Sequence, residues 1–243
     1  MLDDHATKTC AAPTNANPAP ANPASALPAT EFLPEPGSKL TTRAMPRQRR
    51  AIERRQAILD ATLAILATDG LAAISTSVIA ARAGVPVASV YAYFPNKFAI
   101  VAELARQTFA QGNAALDHIL GQAGNGVPLA TIMDQAIAAV LAGYREVPGR
   151  RRLFSAIRNN ELLDDVQVES DGRMIAVTAR ILARLRPDLP APHIASIAAT
   201  AVRAFTILQY HAIGCEEDAH LPLLVAEWRQ LMLAYLQPYL PGV

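Results

Sequence analysis

Apolar residues recur at helical spacing along most of this chain, and no stretch alternates convincingly enough to predict a strand. In "RQRRAIERRQAILDATLAILATDG", Ile52, Leu59, Leu63, Leu66 and Ala67 fall at helical spacing, with arginines filling the first half and Asp69-Gly70 supplying a stop. The segment "ISTSVIAARAG" predicts a short helix capped by Ser75 or Thr76 and ended at Gly84. A third short helix is expected from about Pro86 to Phe94. Pro95-Asn96 breaks it, and Lys97 opens a long helix, "KFAIVAELARQTFAQGNAALDHIL". Beyond Gly126, helices are expected over roughly 127–146, 149–160, 163–186, 191–213 and 221–239, with Pro and Gly between them. About nine helices and no strand make an all-α fold. The most apolar stretch, "IASIAATAVRAFTILQY", is interrupted by Arg203, so it predicts a buried helix rather than a membrane span.

The first forty residues follow another rule. Stretches such as "AAPTNANPAPANPASALPAT" are rich in Ala, Pro, Asn and Ser without apolar periodicity, which predicts a disordered arm over 1–42. The acidic start "MLDDHATK" has no apolar run after it, so no secretory signal is expected. Cys10 and Cys215 lie too far apart in sequence for a disulfide framework, and a reducing, cytoplasmic setting is the simpler expectation.

Composition changes the picture at one point. The net charge is only +1, yet residues 43–97 hold a surplus of five positive side chains while the rest of the chain is neutral to acidic. A local basic unit is what an anionic partner needs. The expected organisation is therefore an arm (1–42), a small basic helical domain (43–97) and a larger neutral helical domain (98–243).

Within the basic unit, two short helices joined by a tight turn are expected to meet at a steep angle. Such a turn needs a small residue at the closest approach, a glycine free to take positive φ, and apolar plugs facing the partner helix. Ala80, Gly84, and Ile79, Val85 and Val90 supply these, and the spacing matches a DNA-binding helix-turn-helix. The following "VYAYFPNK" offers Phe94 as a core plug. Tyr91 and Tyr93 carry hydroxyls that can point outward, and Lys97 stands at a helix start, groups of the kind that hold phosphate.

With these residues in place, "TSVIAARAGVPVASVYAYFPNKFAIV" resembles the DNA-binding core of the tetracycline-repressor (TetR) family of bacterial transcription regulators. Ile79-Ala80, Ala83-Gly84-Val85, Val90-Tyr91, Tyr93-Phe94 and Lys97 carry the resemblance, which covers about residues 47–100. It implies an N-terminal three-helix helix-turn-helix domain followed by a larger helical ligand-binding and dimerisation domain. It assigns phosphate contacts to Thr76, Tyr91, Tyr93 and Lys97, and base-facing positions to Ser77, Val87, Ala88 and Ser89. Arg43, Arg47, Arg49 and Arg50 are placed to follow the backbone or enter a minor groove. Two departures stand out. Pro86 replaces a capping serine, which proline at a first helical position tolerates. The stretch Val87-Ala88-Ser89 is poor in donors, so specificity is expected to lean on DNA shape and the arginine arm.

The resemblance further implies a homodimer built on the last two long helices. Ala195, Ala198, Ala199 and Val202 on one helix and Leu224, Trp228, Leu231 and Tyr235 on the other suit such an interface, although intramolecular packing would give the same pattern. A ligand pocket would lie within residues 98–213. Its candidate lining is Tyr144, Phe154, Met174, Phe205, Tyr210 and His211, with Arg158 or Arg203 to anchor an anion, and a hydrophobic or aromatic effector is the class expected.

"HAIGCEEDAH" holds His211, Cys215 and His220, but three donors across a helix stop fall short of a structural zinc set, and no metal or other cofactor is expected. No G-x-S-x-G, H-E-x-x-H or P-loop pattern occurs, and "GQAGNG" at 121–126 reads as a loop between helices. The expected function is a cytoplasmic, effector-released regulator, most simply a repressor, that binds a palindromic operator as a dimer. The competing readings are a regulator that answers to a protein or to no ligand, and an all-helical enzyme with a fortuitous turn motif.

Overall fold

The computed structural model describes residues 49–214 and 219–240. Nine α-helices lie among these residues: α1 (Arg49–Asp69), α2 (Thr76–Ala83), α3 (Val87–Tyr93), α4 (Lys97–Leu120), α5 (Leu129–Arg145), α6 (Arg150–Arg158), α7 (Asp164–Leu185), α8 (Ala191–Gly214) and α9 (Leu221–Leu236). Short 3-10 turns at Leu71–Ala73, Glu161–Leu163 and Gln237–Tyr239 join or close them. No strand occurs among the described residues, so the expected all-α fold holds. Arg43, Arg47 and the 1–42 arm lie outside the described residues, as does Cys215.

The short helices form where local chemistry directs them. Ser75 caps α2 by accepting from the Val78 amide at 3.2 Å, and Asn96 caps α4 by accepting from the Ala99 amide at 2.9 Å. Gly84 ends α2 in the left-handed region, φ 66°, and its amide reaches the carbonyls of Ala80 and Ala81. Pro86 stands one position earlier than expected. It is the residue before α3, with extended ψ of 144° and no capping side chain, so α3 starts at Val87.

Two apolar cores result. The first joins α1, α2, α3 and the front of α4, through residues such as Ile58, Ile65, Ile79, Val90, Phe94 and Ile100, to Leu153, Phe154 and Ile157 of α6 and Val166 of α7. The second fills the space between α5, α7, α8 and α9 around Trp228. The buried face of α1 is Ile58, Leu59, Ala61, Thr62, Ile65 and Leu66; Ile52 is 54% exposed and is not part of it. An isolated isoleucine among arginines carries too little periodic information to say which way it faces.

Two expectations about the last helices are corrected. Trp228 is fully buried inside its own subunit, edge-on to Phe205 at 4.7 Å between ring centres, so it is core rather than interface. Ala198 also belongs to that core, and Val202 is buried along the cavity wall. Conversely α8, expected to be buried, leaves most of its apolar stretch uncovered, with only 22% of it buried. By length and composition alone it would pass as a membrane span. Its exposed side carries Ala195, Thr200, Arg203 and Ile207, and α9 adds exposed Leu223 and Leu231.

Candidate nucleic-acid interface and ligand cavity

The helix-turn-helix sits at one end of the molecule. Helix α2 is held by Ile79 and Ala80, and α3 by Val90 and by Phe94 just beyond its last turn, all at most 1% exposed. The opposite faces are left to solvent: Ser77, Val87 and Ala88 are exposed and Ser89 is half-buried. Val87 and Val78, at 39% and 45% exposure, put methyl groups rather than donors on that surface. It suits thymine methyls better than base-edge hydrogen bonding.

The residues assigned to phosphate divide. Thr76 and Tyr91, fifteen positions apart, are brought together with their hydroxyl oxygens 3.0 Å apart, and Tyr91 is 45% exposed. That pair bridges the start of α2 to the middle of α3 and leaves both oxygens at the surface. Lys97 begins α4 with its Nζ 5.6 Å from the centre of the Phe98 ring, a contact that steadies the ammonium at the helix start. Tyr93 is half-buried, with its ring packed against the first core. Arg49 and Arg50 are exposed at the start of α1, where Arg49 donates to Glu53 at 2.8 Å.

Behind this head lies a cavity of about 140 Å3 lined by residues of α4 to α9. Four of the eight expected residues line it: Tyr144, Phe154, Met174 and Phe205. The others do not. Arg203 and His211 point to solvent on α8, and Tyr210 sits behind Phe154, stacked on it at 4.2 Å, with the Arg158 guanidinium 5.7 Å from its own ring. Residues three or four apart on a buried helix can face opposite neighbours, and nothing in the spacing tells which neighbour encloses the void. The cationic member of the wall is instead Arg150, which donates to the Gly143 carbonyl at 3.1 Å and to Gln111 Oε1 at 2.7 Å.

A hydrogen-bonded chain runs from Tyr210, behind Phe154, into the head-proximal wall. The Tyr210 hydroxyl donates to Gln167 Oε1 at 2.5 Å, Gln167 donates to Asp171 Oδ1 at 2.7 Å, and Thr206 donates to the same oxygen at 3.1 Å. Gln209 donates to the Tyr144 hydroxyl at 3.1 Å. Burial holds the phenols of Tyr144 and Tyr210 above their ordinary pKa, so both remain neutral donors. Burial also raises the Asp171 carboxyl, more than its Gln167 and Thr206 donors lower it.

Raising a carboxyl on folding means that the folded state holds the proton more tightly. Stability from this group is then greatest below the ordinary aspartate range of about 3.9 and is lost as pH rises through the raised value. Asp171→Asn keeps an acceptor for Gln167 and Thr206 without the charge. Its melting temperature should match the parent in acid and exceed it at neutral pH; parallel pH profiles would show that Asp171 is not strained by burial.

The cavity and the head are mechanically joined. Phe154 lines the void and also belongs to the first core, touching Phe109 at 6.0 Å and Tyr144 at 4.7 Å between ring centres. The start of α6 leans closely on α1: Gly149, just before it at φ 91°, lies where a Cβ would come within 2.6 Å of the Leu63 carbonyl oxygen. Arg152 donates to the Leu66 carbonyl at 3.4 Å.

A small helix-turn-helix head packed on a helical domain with an internal cavity defines a DNA-binding regulator of the two-domain helical type. Residues 58–104 match the family model "Bacterial regulatory proteins, tetR family", and residues 128–236 match "Tetracyclin repressor-like, C-terminal domain". The chain belongs to the tetracycline-repressor family; it is a DNA-binding transcription regulator and not an enzyme.

Among curated proteins it is similar to the transcriptional repressor KstR of Mycolicibacterium smegmatis, 40% identical over 65 residues, 27% of this chain and 32% of that protein. The KstR of Rhodococcus jostii is 46% identical over 56 residues, 23% of this chain and 26% of that protein. The matched segment thus spans about a third or less of these relatives. A TetR-family regulator from Streptomyces coelicolor superposes with a TM-score of 0.58 at 28% identity, over 78% of this chain and 98% of that one.

Proposed function

We propose that the protein is a cytoplasmic bacterial repressor, composed of a DNA-binding domain (43–97) and a ligand-binding and dimerisation domain (98–243), which holds a palindromic operator as a homodimer and releases it when a small molecule enters the cavity. The observation that carries this reading is Phe154, which is at once a wall of the cavity and a member of the core that seats α2 and α3. A molecule that displaces Phe154 or α6 acts on α1 directly, and through it on the separation of two recognition helices. Operator binding needs that separation near one helical turn, about 34–36 Å. An effector that fits the mismatched spacing better therefore lowers DNA affinity.

The uncovered apolar sides of α8 and α9 support the dimer. Ile207, Leu223 and Leu231 are 67%, 66% and 48% exposed in the single subunit, an apolar surface that a second copy would cover. At the DNA, Thr76, Tyr91, Tyr93, Lys97, Arg49 and Arg50 take phosphates. Ser77, Val87, Ala88 and Ser89 face bases. Arg47 acts from the segment before α1.

Gel-shift titration against the DNA upstream of the protein's own gene, with salt varied, tests the reading. Several phosphate contacts give affinity that falls steeply with salt, and indifference to salt would overturn it. In the same assay Lys97→Ala should weaken specific and nonspecific DNA alike by a similar factor and reduce the salt slope by about one. A loss confined to one operator would show that Lys97 reads sequence instead.

A further inference from the structure

The wall of the cavity changes character along its length. The helices α4, α5, α7, α8 and α9 run side by side, and the lining residues from Thr108 to Leu120 on α4 span about 18 Å at 1.5 Å per residue. Near the head the wall is polar, with Arg150, Tyr144, Gln167, Asp171 and Gln209. At the far end it is hydrocarbon and thioether, with Leu120, Met133, Val202, Met232 and Leu236. The direction of this gradient follows from the helix pairing. Gln209 of α8 bonds Tyr144 near the end of α5, while Arg184 near the end of α7 donates to the Ala123 carbonyl beyond α4.

Charge in the polar end is unequal in its compensation. Asp171 accepts from Gln167 and Thr206 and is eased by burial toward its neutral form. The Arg150 guanidinium has only neutral acceptors among its hydrogen bonds, the Gly143 carbonyl and the Gln111 side chain. A guanidinium fork beside a cavity, without a carboxylate of its own, is matched by an incoming carboxylate. A wall about 18 Å long, polar at one end and hydrocarbon at the other, matches an elongated amphiphile better than a compact ring system.

We infer that the effector is an unbranched aliphatic carboxylic acid, bound with its carboxylate on Arg150 and its chain toward Met232 and Leu236. The inference rests on the proposed effector response and adds the chemistry and the direction of the ligand. Arg150 is the specificity-determining residue: it is the first residue of α6, so the acid that pairs with it engages the helix that leans on α1.

The chain carries a built-in reporter. Its one tryptophan, Trp228, lies against Phe205 of the cavity wall, so occupancy changes its emission without DNA present. Titration of the full chain with dodecanoate, 1-dodecanol and dodecylamine should give binding in that order of strength. Arg150→Gln should weaken dodecanoate by about tenfold or more, the loss expected for a charge-assisted pair, and leave dodecanol unchanged. Arg150→Lys, which keeps the charge, should recover part of the loss. Ala201→Phe, with its melting temperature checked, should exclude dodecanoate while retaining octanoate.

Equal binding of acid, alcohol and amine, or an Arg150→Gln variant that binds dodecanoate as the parent does, would overturn the inference. So would loss of octanoate and dodecanoate alike in a folded Ala201→Phe. Gel shift separates this from the broader reading. DNA binding that no acid affects defeats the inference and leaves the regulator intact. Tight, Arg150-dependent acid binding in a protein with no DNA affinity defeats the repressor and keeps the ligand.

Discussion

Phe94→Ala should cost roughly 3–5 kcal/mol, the range for emptying a fully buried phenylalanine site, and lower the melting temperature by on the order of 10 °C. Phe94 has no exposed surface, its amide closes α3 on the Val90 carbonyl at 2.9 Å, and the Arg55 guanidinium lies 5.5 Å from its ring centre. Within α3 itself Val90 is the one buried side chain, so the recognition helix depends on Phe94 for its seat. Loss of operator binding should therefore exceed the loss of overall helicity, with circular dichroism and gel shift measured on the same sample. Unaltered melting, or retained affinity with a large fall in stability, would show that α3 is held by something else.

Glu103→Ala should be nearly as damaging, at about 3 kcal/mol. Arg55 on α1 and Glu103 on α4 form an ion pair whose side chains are 11% and 17% exposed. Arg55 Nε is buried without a hydrogen-bond partner, so the guanidinium has little else to turn to. Removing the carboxylate strands that cation between α1, α4 and Phe94. Glu103→Gln should cost less, because an amide oxygen still accepts. The double variant Arg55→Leu/Glu103→Leu should recover much of the loss, since a buried pair replaced by apolar residues is often neutral. Denaturant melts of the four proteins decide it; a double variant as unstable as the single one would mean that the pair contributes more than its desolvation cost.

Much of the scaffold was readable from periodicity and punctuation. Asp69-Gly70, Gly84, Pro95-Asn96 and the proline-bounded helices after Gly126 mark ends by backbone chemistry that acts locally, and the helices stop within a few residues of those signals. The helix-turn-helix was readable for the same reason, because Ala80, Gly84 and Val90 answer to a single short contact between neighbouring helices.

The cavity was not readable in that way. Arg150 and Arg152 stand in one run of three arginines, yet the first lines the cavity and the second reaches the Leu66 carbonyl. Only the approach of α6 to α1 at Gly149 distinguishes them, and that is a long-range fact. Trp228 was misplaced for a related reason: α9 is apolar on more than one side, with Trp228 buried and Leu231 exposed, so its pattern lacks the contrast that separates core from interface.

The double membership of Phe154 has a consequence for how such a protein can change over generations. A substitution there that adapts the wall to a new molecule also disturbs the seat of the reading head, so that end of the cavity is closed to gradual drift. The far end is not. Met133 and Met232 are flexible, polarizable side chains away from the head, and cores tolerate exchange among such residues. New effectors should therefore be acquired by altering the tail-contacting wall first, with the acid-binding end inherited unchanged across descendants.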